Sequence, residues 1–103
     1  MATWCGPCVA QMGHLKEVYG NYGNKVVIMS IDIDTNETNE TIRVFKERYG
    51  GEWIFASGPD VGVTYAVSYI PTIYILDQQG RISHKNVGAT SYAVLSAEID
   101  RLI

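Results

Sequence analysis

Cysteine, proline, charge of a single sign and long apolar runs are all scarce in this chain of 103 residues. The two cysteines, Cys5 and Cys8, lie so close together that a bridge between them closes almost no loop. Such a bridge adds little by constraining the unfolded chain, so a disulfide-stapled scaffold is excluded. Three prolines and ten glycines are ordinary usage, which excludes a collagen-like or disordered polymer. No apolar run approaches the ~20 residues that a helix needs to cross a bilayer. Eight basic residues stand against eleven acidic ones, for a net charge of −3. Lys16, Lys25, Arg43, Lys46, Arg48, Arg81, Lys85 and Arg101 are scattered, so no basic face can neutralise phosphates and a nucleic-acid partner is not expected. There are no internal repeats and no linker. What remains is a 47% hydrophobic chain of the size of one small domain, residues 1–103.

Periodicity supplies the elements. Cys8, Met12, Leu15, Tyr19 and Tyr22 form one stripe of a helix over 7–22, with Gly23 as its stop. The β-branched run Val26–Ile31 reads as a strand covered on both faces. A helix with Ile42, Phe45 and Tyr49 on one face follows and ends at Gly50-Gly51. Trp53–Ala56 reads as a short strand, and Val61–Val67 as one or two helical turns. Thr72–Leu76 and Arg81–Val87 form a hairpin about Asp77-Gln78-Gln79-Gly80. Ser91 caps a last helix through Val94, Leu95, Glu98, Ile99 and Leu102. Alternation of this kind points to an α/β layered domain.

The chemistry concentrates in Trp4-Cys5-Gly6-Pro7-Cys8. A cysteine just before a helix meets free backbone N–H groups and the positive end of the dipole, which favour an anion there. Cys8, one turn later, is within reach of Cys5 for a disulfide of ordinary geometry. Pro7 fits the first turn, where its missing N–H costs nothing. Cys5 is therefore suited to attack a disulfide and Cys8 to resolve the mixed disulfide.

These residues resemble a known pattern. Ala2-Thr3-Trp4-Cys5-Gly6-Pro7-Cys8 is similar to the active-site stretch of thioredoxin-fold thiol–disulfide oxidoreductases. Tyr69-Ile70-Pro71-Thr72 resembles their cis-proline loop, and Val87-Gly88-Ala89-Thr90 the turn into their last helix. The longer middle of the chain, with Trp53-Ile54-Phe55-Ala56, looks more like the TlpA/ResA type. The resemblance implies a three-layer sandwich with helices on both faces of a mixed sheet, lacking the strand or strands before the Cys-Gly-Pro-Cys motif. It implies an exposed nucleophile at Cys5, a buried resolving thiol at Cys8 and a cis Pro71 beside them. It further implies that the backbone of Ile70 pairs with an extended substrate segment, with Trp4, Gly6 and Pro7 also on the substrate side. The Cys5–Cys8 pair would be the only redox group, with no bound cofactor. Disulfide-bearing proteins would be the substrates, an upstream thiol reductant the partner, and reduction the direction. The TlpA/ResA likeness leans toward a place outside the cytoplasm, with the cytoplasm as the alternative. The competing reading is a non-catalytic interaction or metal-binding module on the same fold.

Three departures from the pattern stand out. Gly13 replaces a kinking proline, Ser30 stands where many thioredoxins bury a lysine, and the strand leading into Trp4 is not seen. Asp32 and Asp34 read as solvated acids at a strand end. With that strand outside the sequence, two outcomes are expected for the run Val26–Ile31. It pairs directly with Ile73–Leu76, or it associates with a second chain through an exposed edge, the favoured outcome. His14 and His84 could supply zinc donors beside the cysteines, but they lack the paired local spacing of structural sites, and no metal is expected. Asn36-Glu37-Thr38 and Asn39-Glu40-Thr41 match the glycosylation pattern and also read as a helix-entry loop. Trp53, Tyr65, Tyr69 and Tyr74 are candidates for an apolar groove, with core packing the commoner role.

Overall fold

The computed structural model describes all 103 residues. The first helix, α1, runs Gly6–Tyr22. Cys5 is its N-cap, and Pro7 sits in the first turn where the sequence placed it. The strand expected over Val26–Ile31 is shorter and later: β1 is Met29–Asp32. It is not covered on both faces along its length, because Val27 is 80% exposed and Met29 56%. The run instead alternates. Val26, Ile28, Ser30 and Asp32 turn inward, while Ile31 and Ile33 meet the glycines of a later short helix on the other face.

Helix α2, Asn39–Tyr49, is capped by the Thr38 side chain, which accepts the Thr41 N–H. It ends at Gly50, in the left-handed region at φ 70°, where a side chain would be strained. A Cβ on the next residue, Gly51, would lie 2.5 Å from the Phe55 ring, so this glycine pair both stops the helix and lets the chain pass under Phe55. Strand β2, Ile54–Ser57, returns parallel to β1, with Met29 opposite Ile54 and Asp32 opposite Ser57. Helix α3 is the short Pro59–Thr64. Its Gly62 rests against the Ile33 side chain, and Gly58 before it against Ile31.

Strands β3 (Thr72–Leu76) and β4 (Ile82–Val87) form the expected antiparallel hairpin, with a bulge between Ile75 and Leu76. Asp77 Oδ1 accepts the N–H groups of Gln79 and Arg81 and so holds the turn. Helix α4, Tyr92–Asp100, is capped by Ser91 as expected.

The chain thus has the α/β thioredoxin-like layering, but its sheet is in two halves, β1–β2 and β3–β4, with no ladder between them. Direct pairing of Val26–Ile31 with Ile73–Leu76 does not occur. The far edge of β1 is taken by β2, and on the near edge Met1 bonds to Ile31 and Ile33. Side chains join the halves. Val18, Leu95 and Ile99 collect Val26, Ile28, Ile73 and Ile75 into one cluster, while Met12, Phe45 and Trp53 form a second under α1 and α2. Trp53 stacks on Phe55 at 5.6 Å between centroids and is a core residue, not part of a groove.

Candidate active site

The turn Ala2–Cys5 is closed by the Cys5 N–H donating to the Ala2 carbonyl at 3.3 Å. It delivers the Cys5 side chain to the first turn of α1, where Sγ accepts the Cys8 N–H at 3.2 Å. One of the orphan donors at the helix start is thereby spent on sulfur, the arrangement that stabilises a developing thiolate. Both cysteines are free thiols. The Cys8 thiol is pushed up to about 12, first by burial and then by its hydrogen bond with Cys5, so it stays protonated at neutral pH.

The Ile70–Pro71 peptide is cis. The Ile70 carbonyl lies 3.7 Å from Cys5 Sγ, which brings the cis-proline loop onto the thiol pair across most of the sequence. This closeness corrects one expectation. Cys5 is not exposed: it is 4% accessible against 3% for Cys8, because Ala2, Met1 and Ile70 pack around both. The open surface beside the thiols is made by Trp4, at 69% exposure, with Gly6 and Pro7. Tyr69, 73% exposed, continues that surface next to Ile70. Tyr65 and Tyr74 instead pair with each other, rings 4.9 Å apart, with the Tyr74 hydroxyl donating to the Tyr65 carbonyl.

The acid that ends β1 overturns a second expectation. Asp32 is not solvated. It is fully buried, with Oδ1 accepting the Asp34 N–H and Oδ2 without a partner. Burial foremost, with Glu37 close by, pushes its carboxyl up to about 6. Asp34 reaches the site itself: Oδ2 accepts the Trp4 indole N–H at 2.6 Å, which holds this carboxyl below its ordinary range. Glu37 accepts the Thr3 N–H at 2.7 Å and also the Thr3 hydroxyl. Asp32 had a readable signal, since it shares a face with Val26, Ile28 and Ser30. Glu37 had none, because its partner is 34 residues away in a loop.

Behind the thiols, Gln11 is buried on α1 and forms a reciprocal pair with Thr90: Oε1 accepts the Thr90 N–H at 2.7 Å and Nε2 donates to the Thr90 carbonyl at 2.9 Å. No three His, Cys, Asp or Glu side chains gather as a metal site. His84 instead lies 3.9 Å from Glu98. A cavity of about 480 Å³ is lined by Ile33, Pro59, Gly62, Val63 and Val67 among others and includes neither cysteine.

The thiol pair at a helix start, facing a cis-proline loop, can now be set beside known proteins. A profile described as Redoxin matches residues 1–100. The chain belongs to the Redoxin family. It is 28% identical over 102 residues to the thiol-disulfide oxidoreductase ResA of Bacillus thuringiensis (strain Al Hakam), covering 97% of this chain and 58% of that protein. It is likewise 28% identical over 101 residues to the thioredoxin-like protein YneN of Bacillus subtilis (strain 168), covering 96% of this chain and 59% of that protein. The chain therefore spans little more than half the length of these relatives. Among solved structures, StoA of Bacillus subtilis superposes with a TM-score of 0.83 at 16% identity, over 96% of this chain and 77% of that one. That likeness shows the thioredoxin-like fold.

Proposed function

We propose that this Redoxin-family domain is a thiol–disulfide oxidoreductase that reduces protein disulfides through the Cys5–Cys8 pair. The observation that carries the reading is Cys5 Sγ at the start of α1, accepting the Cys8 N–H and facing the Ile70 carbonyl. The Cys5 thiolate attacks one sulfur of a substrate disulfide; a new S–S bond forms to Cys5 while the substrate bond breaks, and the departing thiolate takes a proton. Cys8 then gives up its proton and attacks Cys5 Sγ. The second substrate thiol is released, and the domain is left with a Cys5–Cys8 disulfide. Two electrons pass to the substrate, and an upstream thiol reductant restores the dithiol. The pair is itself the redox group, so the cycle calls on no bound cofactor.

Substrate access runs over the ridge of Trp4, Gly6 and Pro7, with the Ile70 backbone as the pairing edge. Because the Ile70 carbonyl lies against Cys5, an arriving strand must displace that contact to reach Sγ. The TlpA/ResA likeness supports action outside the cytoplasm. The test is an insulin-reduction assay coupled to a thiol reductant, run beside a zinc measurement. Turnover that depends on both cysteines is expected. A folded, inactive protein carrying stoichiometric zinc would replace this reading with a metal-binding module.

A further inference from the structure

The turn that presents Cys5 has Thr3 and Trp4 at its centre, and both are tied to the segment after β1. The Trp4 indole bond to Asp34 lies at the surface, where water competes for it. The Thr3 tie is different in kind. Glu37 is half-buried and uses both carboxylate oxygens on one residue, taking the Thr3 backbone N–H at 2.7 Å and the Thr3 hydroxyl. A bidentate, charge-assisted contact fixes orientation as well as distance. The carboxyl of Asp32, fully buried with Oδ2 unpartnered, stands beside Glu37 on the protein side.

We propose that Glu37 is a positioning residue for the attacking thiol: by holding the Thr3 N–H and hydroxyl, it locks the Ala2–Cys5 turn that places Cys5 Sγ on the Cys8 N–H. The proposal rests on Cys5 being the attacking thiol. Glu37 touches neither sulfur and acts only through the turn. Losing the tie lets the turn swing, and a small misplacement of a reacting atom costs rate steeply. The charge of Glu37 works the other way, since a carboxylate near the thiols disfavours a thiolate. The other titratable groups around the turn are Asp32, Asp34, Cys8 and the amino group of Met1. Removing Glu37 therefore has opposite signs for the two roles. As a mere charge, its loss speeds reaction at Cys5; as a tether, its loss slows it.

The experiment is iodoacetamide alkylation of the reduced 103-residue chain at pH 7.5, with each thiol followed separately by mass mapping. Glu37→Ala is expected to slow Cys5 roughly fivefold or more. Glu37→Gln, which keeps an oxygen for the Thr3 N–H, is expected to stay within about twofold of the parent. Thr3→Val removes only the hydroxyl contact; it is expected to slow Cys5 by about twofold and carries the test if Glu37→Ala does not fold. A Cys5 rate unchanged or raised in both Glu37→Ala and Thr3→Val would overturn the proposal, as would a loss in Glu37→Gln equal to that in Glu37→Ala. If Cys8 is labelled ahead of Cys5 in the parent, the nucleophile assignment fails. The dependence on Glu37 is still read on the Cys5 rate.

Discussion

The Trp53 indole donates to Ser30 Oγ at 2.8 Å, with both residues buried. Ser30 occupies the place where the family resemblance leads one to look for a lysine, and here that place is filled by an aromatic core. Ser30→Ala leaves the indole N–H without an acceptor and is expected to cost about 1–3 kcal/mol in urea unfolding. Trp53→Phe removes the donor and also packing volume. A double-mutant cycle should show clear non-additivity, and simple additivity would mean that the bond contributes nothing.

Asp32 gives a pH dependence with a definite sign. Its folded value, raised to about 6 by burial foremost, lies above the ordinary value near 4, so the folded state holds the proton more tightly. The stability this adds is complete below about pH 4, declines between about 4 and 6, and is absent above. Asp34 and Glu40 are shifted downward and act in the opposite sense, so the difference between variant and parent is the quantity to read. Asp32→Asn should match the parent near pH 4 and exceed it by on the order of 1–3 kcal/mol above pH 6. Denaturant midpoints across that range check it. A difference that shrinks as pH rises would reverse the assignment.

The two thiols should separate chemically. With Cys8 pushed up to about 12, labelling at neutral pH is expected at Cys5 alone, despite the near-equal burial of the two. Cys8→Ser should accumulate mixed disulfides with substrate, and Cys5→Ser should abolish attack. Intact-mass analysis after exposure to a protein disulfide distinguishes these outcomes, and equal labelling of both thiols in the parent would count against the division of roles.

The two half-sheets share no ladder, so β3, paired only with β4, keeps one backbone edge that no strand of this chain joins. Open edges recruit strands. The 103-residue chain is therefore expected to gain mass with concentration in light scattering, and Leu76→Lys, at an exposed position of β3, should weaken that association. A constant monomer mass over the range would show the edge to be closed to a second chain.

Much of this was legible because it is written locally. The Cys-Gly-Pro-Cys turn, the Ser91 cap, the Gly50-Gly51 stop and the Asp77–Gly80 hairpin all depend on neighbours within a few residues. The strand over Val26–Ile31 was misplaced because hydrophobic alternation and a doubly buried run look alike when Val27 and Met29 are themselves apolar. The acids were misread for a related reason. Asp34 meets Trp4, Glu37 meets Thr3 and Asp32 is buried beside Glu37, contacts made only once β1 lies beside the entry to α1. The cover over Cys5 likewise depends on Ile70, which reaches the thiol only in the folded chain.

Gln11 lies one helical turn beyond Cys8, and its side-chain amide meets the peptide group of Thr90 as one strand meets another, donor to acceptor and acceptor to donor. A single side chain thus does the work of a backbone ladder across 79 residues of sequence. Helix α4 is, in mechanical terms, a strut: with Leu95 and Ile99 packed on Val18 it braces the helix that carries the sulfur pair, and slack in it would be felt at the Cys5–Cys8 turn.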